Sequence, residues 1–299
     1  MISFLFRKLC ILILFCITFV NVNGAQIAVC SAENFYGSIA KSIGGKYVSV
    51  TSIISNPDAD PHLFSTSPKT AMALAKANVV IYNGVDYDPW INSMLSVLDT
   101  KTRKDMIVIE VSDLVKINED ENPHIWYNPE TFPVLALKLS EVFSKIIPDK
   151  KDYFEDNLES FQNNYKQVYK LIDAIKRNFA GTEVTATEPV FDYMAGMLGF
   201  NIKGKDYQWI IMNGSDPSPK ITASFINLLK SKSVKILFYN NQVISSSTRN
   251  MLDIAKSRGI EVVGVSETMP LDTDATQWLI KTLESVKTAL TATNKKQNQ

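Results

Sequence analysis

Two histidines stand in similar, turn-rich phrases of the sequence. His62 follows an Asp-Pro dipeptide and His124 follows an Asn-Pro dipeptide, and no other histidine occurs among the 299 residues. A proline fixes its own φ and biases the preceding residue towards extended backbone, so each imidazole sits on a stiffened loop. A single loop histidine is more often a surface or hydrogen-bonded residue than a ligand. Two of them in matching phrases could face one crevice.

Two carboxylates occupy comparable places in the second half of the chain. Glu188 ends one predicted strand and Glu267 ends the last one. Either alone is more often a solvated or helix-capping charge. Asp192 lies one helical turn beyond Glu188, where it would cap the helix or orient that glutamate. Together, two imidazoles and two carboxylates suit an all-protein site for a divalent transition metal.

Familiar catalytic motifs do not compete with this interpretation. The sequence holds no His-Glu-x-x-His, no phosphate-binding P-loop, no Gly-x-Ser-x-Gly and no Cys-x-x-Cys. A metal enzyme would also need an open coordination position and a general base, and Asp192 is the spare candidate base. A secreted metallohydrolase is therefore kept as the alternative function. A metal-binding adhesin is a third, although the sequence has no adhesive repeat.

The first 25 residues have the pattern of a secretory signal peptide. Arg7-Lys8 precedes an apolar run of about a dozen residues, and the small pair Gly24-Ala25 follows. The run is short for a membrane span. The residues before Cys16 and Cys30 do not form a convincing lipobox. We therefore expect cleavage after Gly24 or Ala25 and a periplasmic or other extracytoplasmic protein, neither lipid-anchored nor stably inserted in the membrane.

Composition excludes some partners. The chain has 31 basic and 31 acidic residues, and loss of the leader leaves a small acidic excess, so neither nucleic acid nor an acidic membrane surface is expected. Cys10 and Cys16 lie in the leader, and a lone Cys30 cannot form an internal disulfide. Stability must then come from the hydrophobic core. The 45% hydrophobic content is enough for two domains of ordinary size. We expect the protein to be a monomer.

Strand and helix patterns alternate in both halves, which predicts parallel sheets covered by helices. Such open α/β folds gather ligand groups at the carboxyl ends of strands. The loop of His62 follows the second predicted strand, and that of His124 follows the fourth. The predicted strands cover 26–32, 48–54, 79–84, 106–111, 183–187, 200–205, 234–239 and 261–265.

One long segment separates the two halves. From 151 to 179 apolar residues recur at three- and four-residue spacing, which predicts an amphipathic helix roughly 40 Å long. It is either a surface helix packed on a core or a rigid spacer between two lobes. The expected domains are a signal peptide at 1–25, an N-terminal α/β lobe at 26–150, the connecting helix at 151–179 and a C-terminal α/β lobe at 180–299.

These motifs carry a resemblance to a known family. The chain resembles the periplasmic substrate-binding subunits of zinc/manganese ABC transporters, solute-binding protein family 9. The matching segments keep their order along the whole mature chain, which makes them more specific than any one motif. They are 60–64, 67–68, 75–84, 89–90, 122–129, 188–193, 215–219 and 265–268.

The resemblance implies two α/β lobes joined by one long rigid helix, with a metal ion held between the lobes. It also implies delivery of that ion to an ABC permease driven by an ATPase, rather than catalysis. Carried over residue by residue, the metal ligands are His62 and His124 from the first lobe and Glu188 and Glu267 from the second. At the position of Glu188 many members of the family have a third histidine, and at the position of Glu267 many have an aspartate.

Departures from the zinc-type members bear on the metal. The loop before His124 has only an Asn-Glu-Asp-Glu run, with no histidine cluster, and Asn122 and Asn128 stand where aspartate is frequent. These differences weaken the case for zinc. Hard oxygen ligands put Mn²⁺ slightly ahead of Zn²⁺, although the usual stability order favours zinc. Whether each carboxylate binds through one oxygen or two is left open.

Overall fold

The computed structural model describes residues 26–56 and 64–297, and the predicted signal peptide lies outside them. Eight strands lie in the described part. They are β1 Ile27–Glu33, β2 Val48–Ile54, β3 Val79–Tyr82, β4 Ile107–Glu110, β5 Glu183–Ala186, β6 Asn201–Lys203, β7 Ile236–Asn240 and β8 Glu261–Val265.

The strands form two four-stranded sheets, ordered β2-β1-β3-β4 and β6-β5-β7-β8. Every pairing is parallel, with Ile27 opposite Val48 in the first sheet and Val184 opposite Ile236 in the second. The central strand β3 is buried along its whole length, as expected for a parallel strand covered on both faces. The predicted two-lobe α/β fold is confirmed.

Helices cover both sheets, and several begin at a capping serine. Ser67 and Ser245 accept hydrogen bonds from the backbone N–H of Thr70 and Thr248, which satisfies donors at the helix start. The helices are α1 Asn34–Gly44, α2 Pro68–Ala75, α3 Pro89–Ser96, α4 Thr100–Asp105, α5 Val111–Val115, α6 Thr131–Ile146, α7 Lys151–Phe179, α8 Asp192–Met197, α9 Lys205–Met212, α10 Pro219–Lys230, α11 Ser246–Ser257 and α12 Ala275–Gln297.

The long helix α7 packs against helices from both halves of the chain. It contacts α1 and α6, which follow strands of the first sheet, and α12, which follows the second sheet. One face is buried, through Phe154, Phe161, Tyr165, Val168, Ile172 and Ile175. A single hydrophobic cluster includes Ile81 of β3 and Phe238 of β7. The helix therefore lies across a core that both sheets share, while the domain limits at 150 and 179 stay a prediction.

Polar contacts join the carboxyl edge of the first sheet to the loop after β8. The Asn34 side-chain amide donates to the carbonyl of Met269 over 2.6 Å, and the Met269 N–H donates back to Oδ1 of Asn34 over 3.1 Å. The hydroxyl of Tyr127 donates to the carbonyl of Ser266 over 3.0 Å. The ends of β1 and β8 therefore meet. Across 26–56 and 64–297, no helix has both the length and the apolar character to cross a bilayer.

Candidate metal centre

His124 is fully buried at the start of a short 3-10 helix, Ile125–Tyr127. Its Nδ1 lies 2.6 Å from Oδ1 of Asn122, which also accepts the His124 backbone N–H over 3.1 Å. Nδ2 of Asn122 donates to the carbonyl of Pro189 over 2.7 Å, and this bond fixes the orientation of the Asn122 amide. Since Oδ1 is an acceptor, Nδ1 carries the proton and Nε2 presents the lone pair. This is the arrangement of a metal-ligating imidazole.

Glu267 faces that imidazole from the loop after β8. Its Oε2 lies 3.9 Å from Nε2 of His124, and both side chains are fully buried. The Tyr87 hydroxyl donates to Oε2 over 2.8 Å. The Asn240 amide donates to Oε1 over 2.5 Å. The side-chain carbonyl of Gln242 accepts the backbone N–H of Glu267 over 2.5 Å, so side chain and backbone are both held.

Glu188 reaches the same region from the segment after β5. It is buried and precedes the 3-10 helix Pro189–Phe191. Its Oε2 accepts a hydrogen bond of 3.3 Å from Nδ2 of Asn240, the same nitrogen that donates to Glu267. We call this pair of bonds the Asn240 bridge. Through it the structure brings Glu188 and Glu267 together.

The fourth predicted ligand, His62, falls in 57–63, outside the described residues. Among the residues that the structure describes, no group of three or more histidine, cysteine, aspartate or glutamate side chains is arranged to hold a metal ion. His124 and Glu267 are direct neighbours, whereas Glu188 joins them through the Asn240 bridge. The described geometry thus gathers three of the predicted residues without testing their role as ligands.

Asp192, which was expected to cap a helix or orient Glu188, is the first residue of α8. Burial raises the pKa of its carboxyl to about 6, and the charge of Lys205 partly opposes that rise. Its identified electrostatic partner is therefore a lysine.

Sequence reasoning missed a buried acid pair beside the site. Glu33 ends β1, and Asp88 accepts the backbone N–H groups of Asn83 and Gly84 over 2.6 and 3.0 Å. Burial, then the charge of Asp88, raises the pKa of Glu33 well above its usual value. Burial also raises the pKa of Asp88 to about 6. Only the strand-end position of Glu33 could have drawn attention to it.

The turn at Gly84 positions Tyr87 and Asp88. Gly84 has a φ of 81°, and a Cβ there would collide with the Glu110 and Ser112 side chains. Glycine adopts this conformation at low cost. Burial, then the charges of Glu267 and Glu33, raises the pKa of the Tyr87 hydroxyl well above its usual value. Tyr87 therefore stays a donor to Glu267 over the physiological pH range.

Curated relatives of similar length resemble the chain throughout. The manganese-binding lipoprotein MntA of Bacillus subtilis is 25% identical over 245 residues, covering 78% of this chain and 77% of that protein. The metal ABC transporter substrate-binding lipoprotein SloC of Streptococcus mutans is 23% identical over 279 residues, covering 86% of this chain and 88% of SloC. SloC is named as the substrate-binding component of an ABC transporter and MntA as a manganese-binding protein, and neither name is that of an enzyme.

Solved structures share the fold. The periplasmic zinc-binding protein TroA of Treponema pallidum superposes with a TM-score of 0.74 at 17% identity, covering 89% of this chain and 99% of TroA. A mutant of the laminin-binding adhesin Lmb of Streptococcus agalactiae gives a TM-score of 0.72 at 20% identity, covering 89% of this chain and 100% of Lmb.

A family model matches residues 29–291, nearly the whole described chain. Its description is ZnuA, zinc-uptake complex component A, periplasmic. The resemblance drawn from the sequence motifs is confirmed, and the chain belongs to this family of metal-binding ABC transporter substrate-binding proteins.

Proposed function

We propose that this protein is the extracytoplasmic binding subunit of an ABC importer. It captures one divalent transition-metal ion, Mn²⁺ or Zn²⁺, and delivers it to a membrane permease driven by an ATPase. The observation that carries the proposal is the pairing of His124 with Glu267, which are buried face to face with 3.9 Å between Nε2 and Oε2. A buried imidazole and carboxylate from opposite lobes are suited to a cation between them.

The proposed ligands are His62, His124, Glu188 and Glu267. The fixed Nδ1 proton of His124 and the burial of both glutamates support the last three. His62 is included among the proposed ligands because it follows a proline in a sequence motif like that of His124. The ligands come from loops of both lobes, so metal binding would restrict the motion of one lobe relative to the other.

Of the two metals, we propose Mn²⁺ slightly ahead of Zn²⁺. Two carboxylate ligands supply hard oxygen donors, which suit manganese better than a three-histidine set would. The intrinsic stability order still favours zinc. Zinc is therefore expected to bind in vitro as well.

Export and assembly complete the proposal. We propose that the leader is removed after Gly24 or Ala25 and that the mature protein is a monomer without a lipid anchor. That differs from MntA and SloC, which are named lipoproteins. The laminin binding named for Lmb is a property of that protein, and the likeness at this identity concerns the fold alone.

Metal analysis of the protein from its native compartment tests capture. The wild type should carry about one equivalent of a transition metal, as one four-ligand site requires. Glu188→Ala should carry much less, and the exposed-glutamate control Glu141→Ala should match the wild type. Full occupancy with unchanged affinity in Glu188→Ala would remove Glu188 from the ligand set.

Gene deletion tests delivery separately from capture. Loss of the importer subunit should slow growth under metal starvation, and added metal should restore it. Unaffected growth would count against uptake even if the purified protein binds metal. A hydrolysis screen of the purified protein checks the metallohydrolase alternative and is expected to find no activity.

A further inference from the structure

Asn240 is a buried neutral residue placed between two acidic ones. It is the last residue of β7 and has no exposed surface. Its Nδ2 lies 3.3 Å from Oε2 of Glu188 and 2.5 Å from Oε1 of Glu267. An amide nitrogen has two hydrogens, so each carboxylate receives one of them.

The orientation of this amide is fixed from its other end. Oδ1 of Asn240 accepts the backbone N–H of Gln242 over 3.1 Å. Reversing the amide would lose that bond and turn an oxygen towards two carboxylates. Gln242 in turn accepts the backbone N–H groups of Glu267 and Thr268 over 2.5 and 2.9 Å. The last residue of β7 therefore holds the carboxylate of Glu267, and Gln242 just after the strand holds its backbone.

We propose that Asn240 restrains Glu188 and Glu267 to one metal-binding oxygen each and thereby sets the coordination number of the metal site. This inference rests on the proposed function, because it assumes that both glutamates are ligands. Asn240 is a positioning residue: it acts on the metal through the two carboxylates.

A carboxylate coordinates a metal ion through one oxygen or through both. Bidentate binding requires both oxygens of one group to turn towards the metal. The Asn240 bridge directs Oε2 of Glu188 and Oε1 of Glu267 towards the amide instead. Hydrogen bonds to charged groups are stronger than those between neutral groups, so turning either bonded oxygen away from Asn240 for bidentate coordination has a free-energy cost.

The consequence is an effect on metal selectivity. One oxygen from each glutamate instead of two keeps the number of donors low, which suits Zn²⁺ because it is commonly four-coordinate. Mn²⁺ favours oxygen-rich sites of higher coordination number. The intact bridge therefore opposes the manganese preference that the two oxygen ligands create, and the metal bound reflects the balance of the two.

This role of Asn240 is tested by calorimetric titration of Asn240→Ala with Mn²⁺ and with Zn²⁺. The zinc titration is carried out against a competing chelator. The ratio of the manganese Kd to the zinc Kd should fall about tenfold relative to wild type, the change equivalent to one such hydrogen bond. The control Asn241→Ala removes the exposed neighbouring amide and should leave the ratio unchanged. X-ray absorption of the manganese form should show a higher coordination number in Asn240→Ala.

The outcomes separate this inference from the function on which it rests. If both affinities of Asn240→Ala fall in proportion and the coordination number is unchanged, the selectivity role is wrong although the protein still binds metal. If the wild type binds neither metal, the proposed function itself fails. Should Asn240→Ala not fold, Asn240→Ser keeps one donor and should give a smaller fall in the ratio. An unchanged ratio in a folded Asn240→Ser would overturn the role.

Discussion

His124 and Glu267 lie in loops that follow different sheets, yet Nε2 of the first lies 3.9 Å from Oε2 of the second. Neither side chain reaches solvent. A carboxylate shielded from water interacts more strongly with a nearby cation than it would at the surface. The contact therefore ties a proposed ligand pair to the packing of the two lobes.

Glu267→Gln should abolish tight metal binding while keeping the fold. The amide is nearly isosteric but neutral, so the site loses a charged ligand. Loss of an outer hydrogen-bond partner alone costs about 10–100-fold in affinity, and loss of a ligand should exceed the upper end of that range. Calorimetry with Mn²⁺ and Zn²⁺ measures it. Glu284→Gln, on the exposed face of α12, is the control, and retained wild-type affinity in Glu267→Gln would exclude Glu267 as a ligand.

Tyr87→Phe should weaken metal binding without removing it. The variant loses the hydroxyl that donates to Oε2 of Glu267 over 2.8 Å. A hydrogen bond to a charged group is typically worth about 1.5–3 kcal/mol, so we expect roughly a tenfold or greater rise in the metal Kd. Tyr82→Phe is a matched control, because its hydroxyl donates to Glu110. Equal losses in both variants would point to general destabilisation.

Asn34→Ala should lower the free energy of unfolding by about 1–3 kcal/mol, the cost of leaving buried backbone groups unpaired. Asn34 makes two reciprocal hydrogen bonds with the backbone of Met269, next to the loop that carries Glu267. Urea denaturation measures the loss, with the exposed Asn164→Ala as the control. If the two variants are equally stable, the contact between Asn34 at the start of α1 and the loop after β8 contributes little.

The acid pair Glu33 and Asp88 should make stability depend on pH. Burial raises the pKa of Glu33 and brings that of Asp88 to about 6, so the folded state binds more protons than the unfolded state above about pH 4. Stability should therefore fall as pH rises from about 4 through 6. The hydroxyls of Tyr36 and Tyr87, which face the pair, have raised pKa values and stay neutral.

Glu33→Gln separates this pair from other titrating groups. The amide cannot ionise, so the variant should lose less stability than wild type as the pH rises from about 4 through 6, because the folded variant has one buried proton fewer to release. Urea denaturation across that range measures the slope. A slope identical to wild type would show that Glu33 titrates normally.

The sequence predicted the parts of the fold that follow from local pattern. Helix α7 was predicted at 151–179 and spans Lys151–Phe179, because many consecutive turns repeat the same apolar spacing. No such pattern predicts the short helices α4, α5 and α9. In α9, Tyr207 stacks on Phe225 of α10 with 4.1 Å between ring centroids. Such a helix is stabilised by a tertiary contact that no short stretch of sequence contains.

The charged residues of the site could be predicted from local sequence, but the contacts that position them could not. Glu188 and Glu267 could be chosen because acids at strand ends in open α/β folds converge at one edge. Asn240 also ends a strand, but a neutral amide gives no charge signal, and its importance depends on distances to both acids. The pairing of Asn34 with Met269 likewise joins distant parts of the chain.

Thermal melting of the wild type with and without saturating Mn²⁺ or Zn²⁺ tests the central claim most directly. A ligand that binds only the folded state at a free concentration of 100 times its Kd stabilises by about 2.7 kcal/mol. For a chain of this size, that stabilisation raises the melting temperature by several degrees. We expect a rise in melting temperature that increases with metal concentration and disappears in Glu267→Gln. An unchanged melting temperature at saturating metal would contradict a site shared between the two lobes.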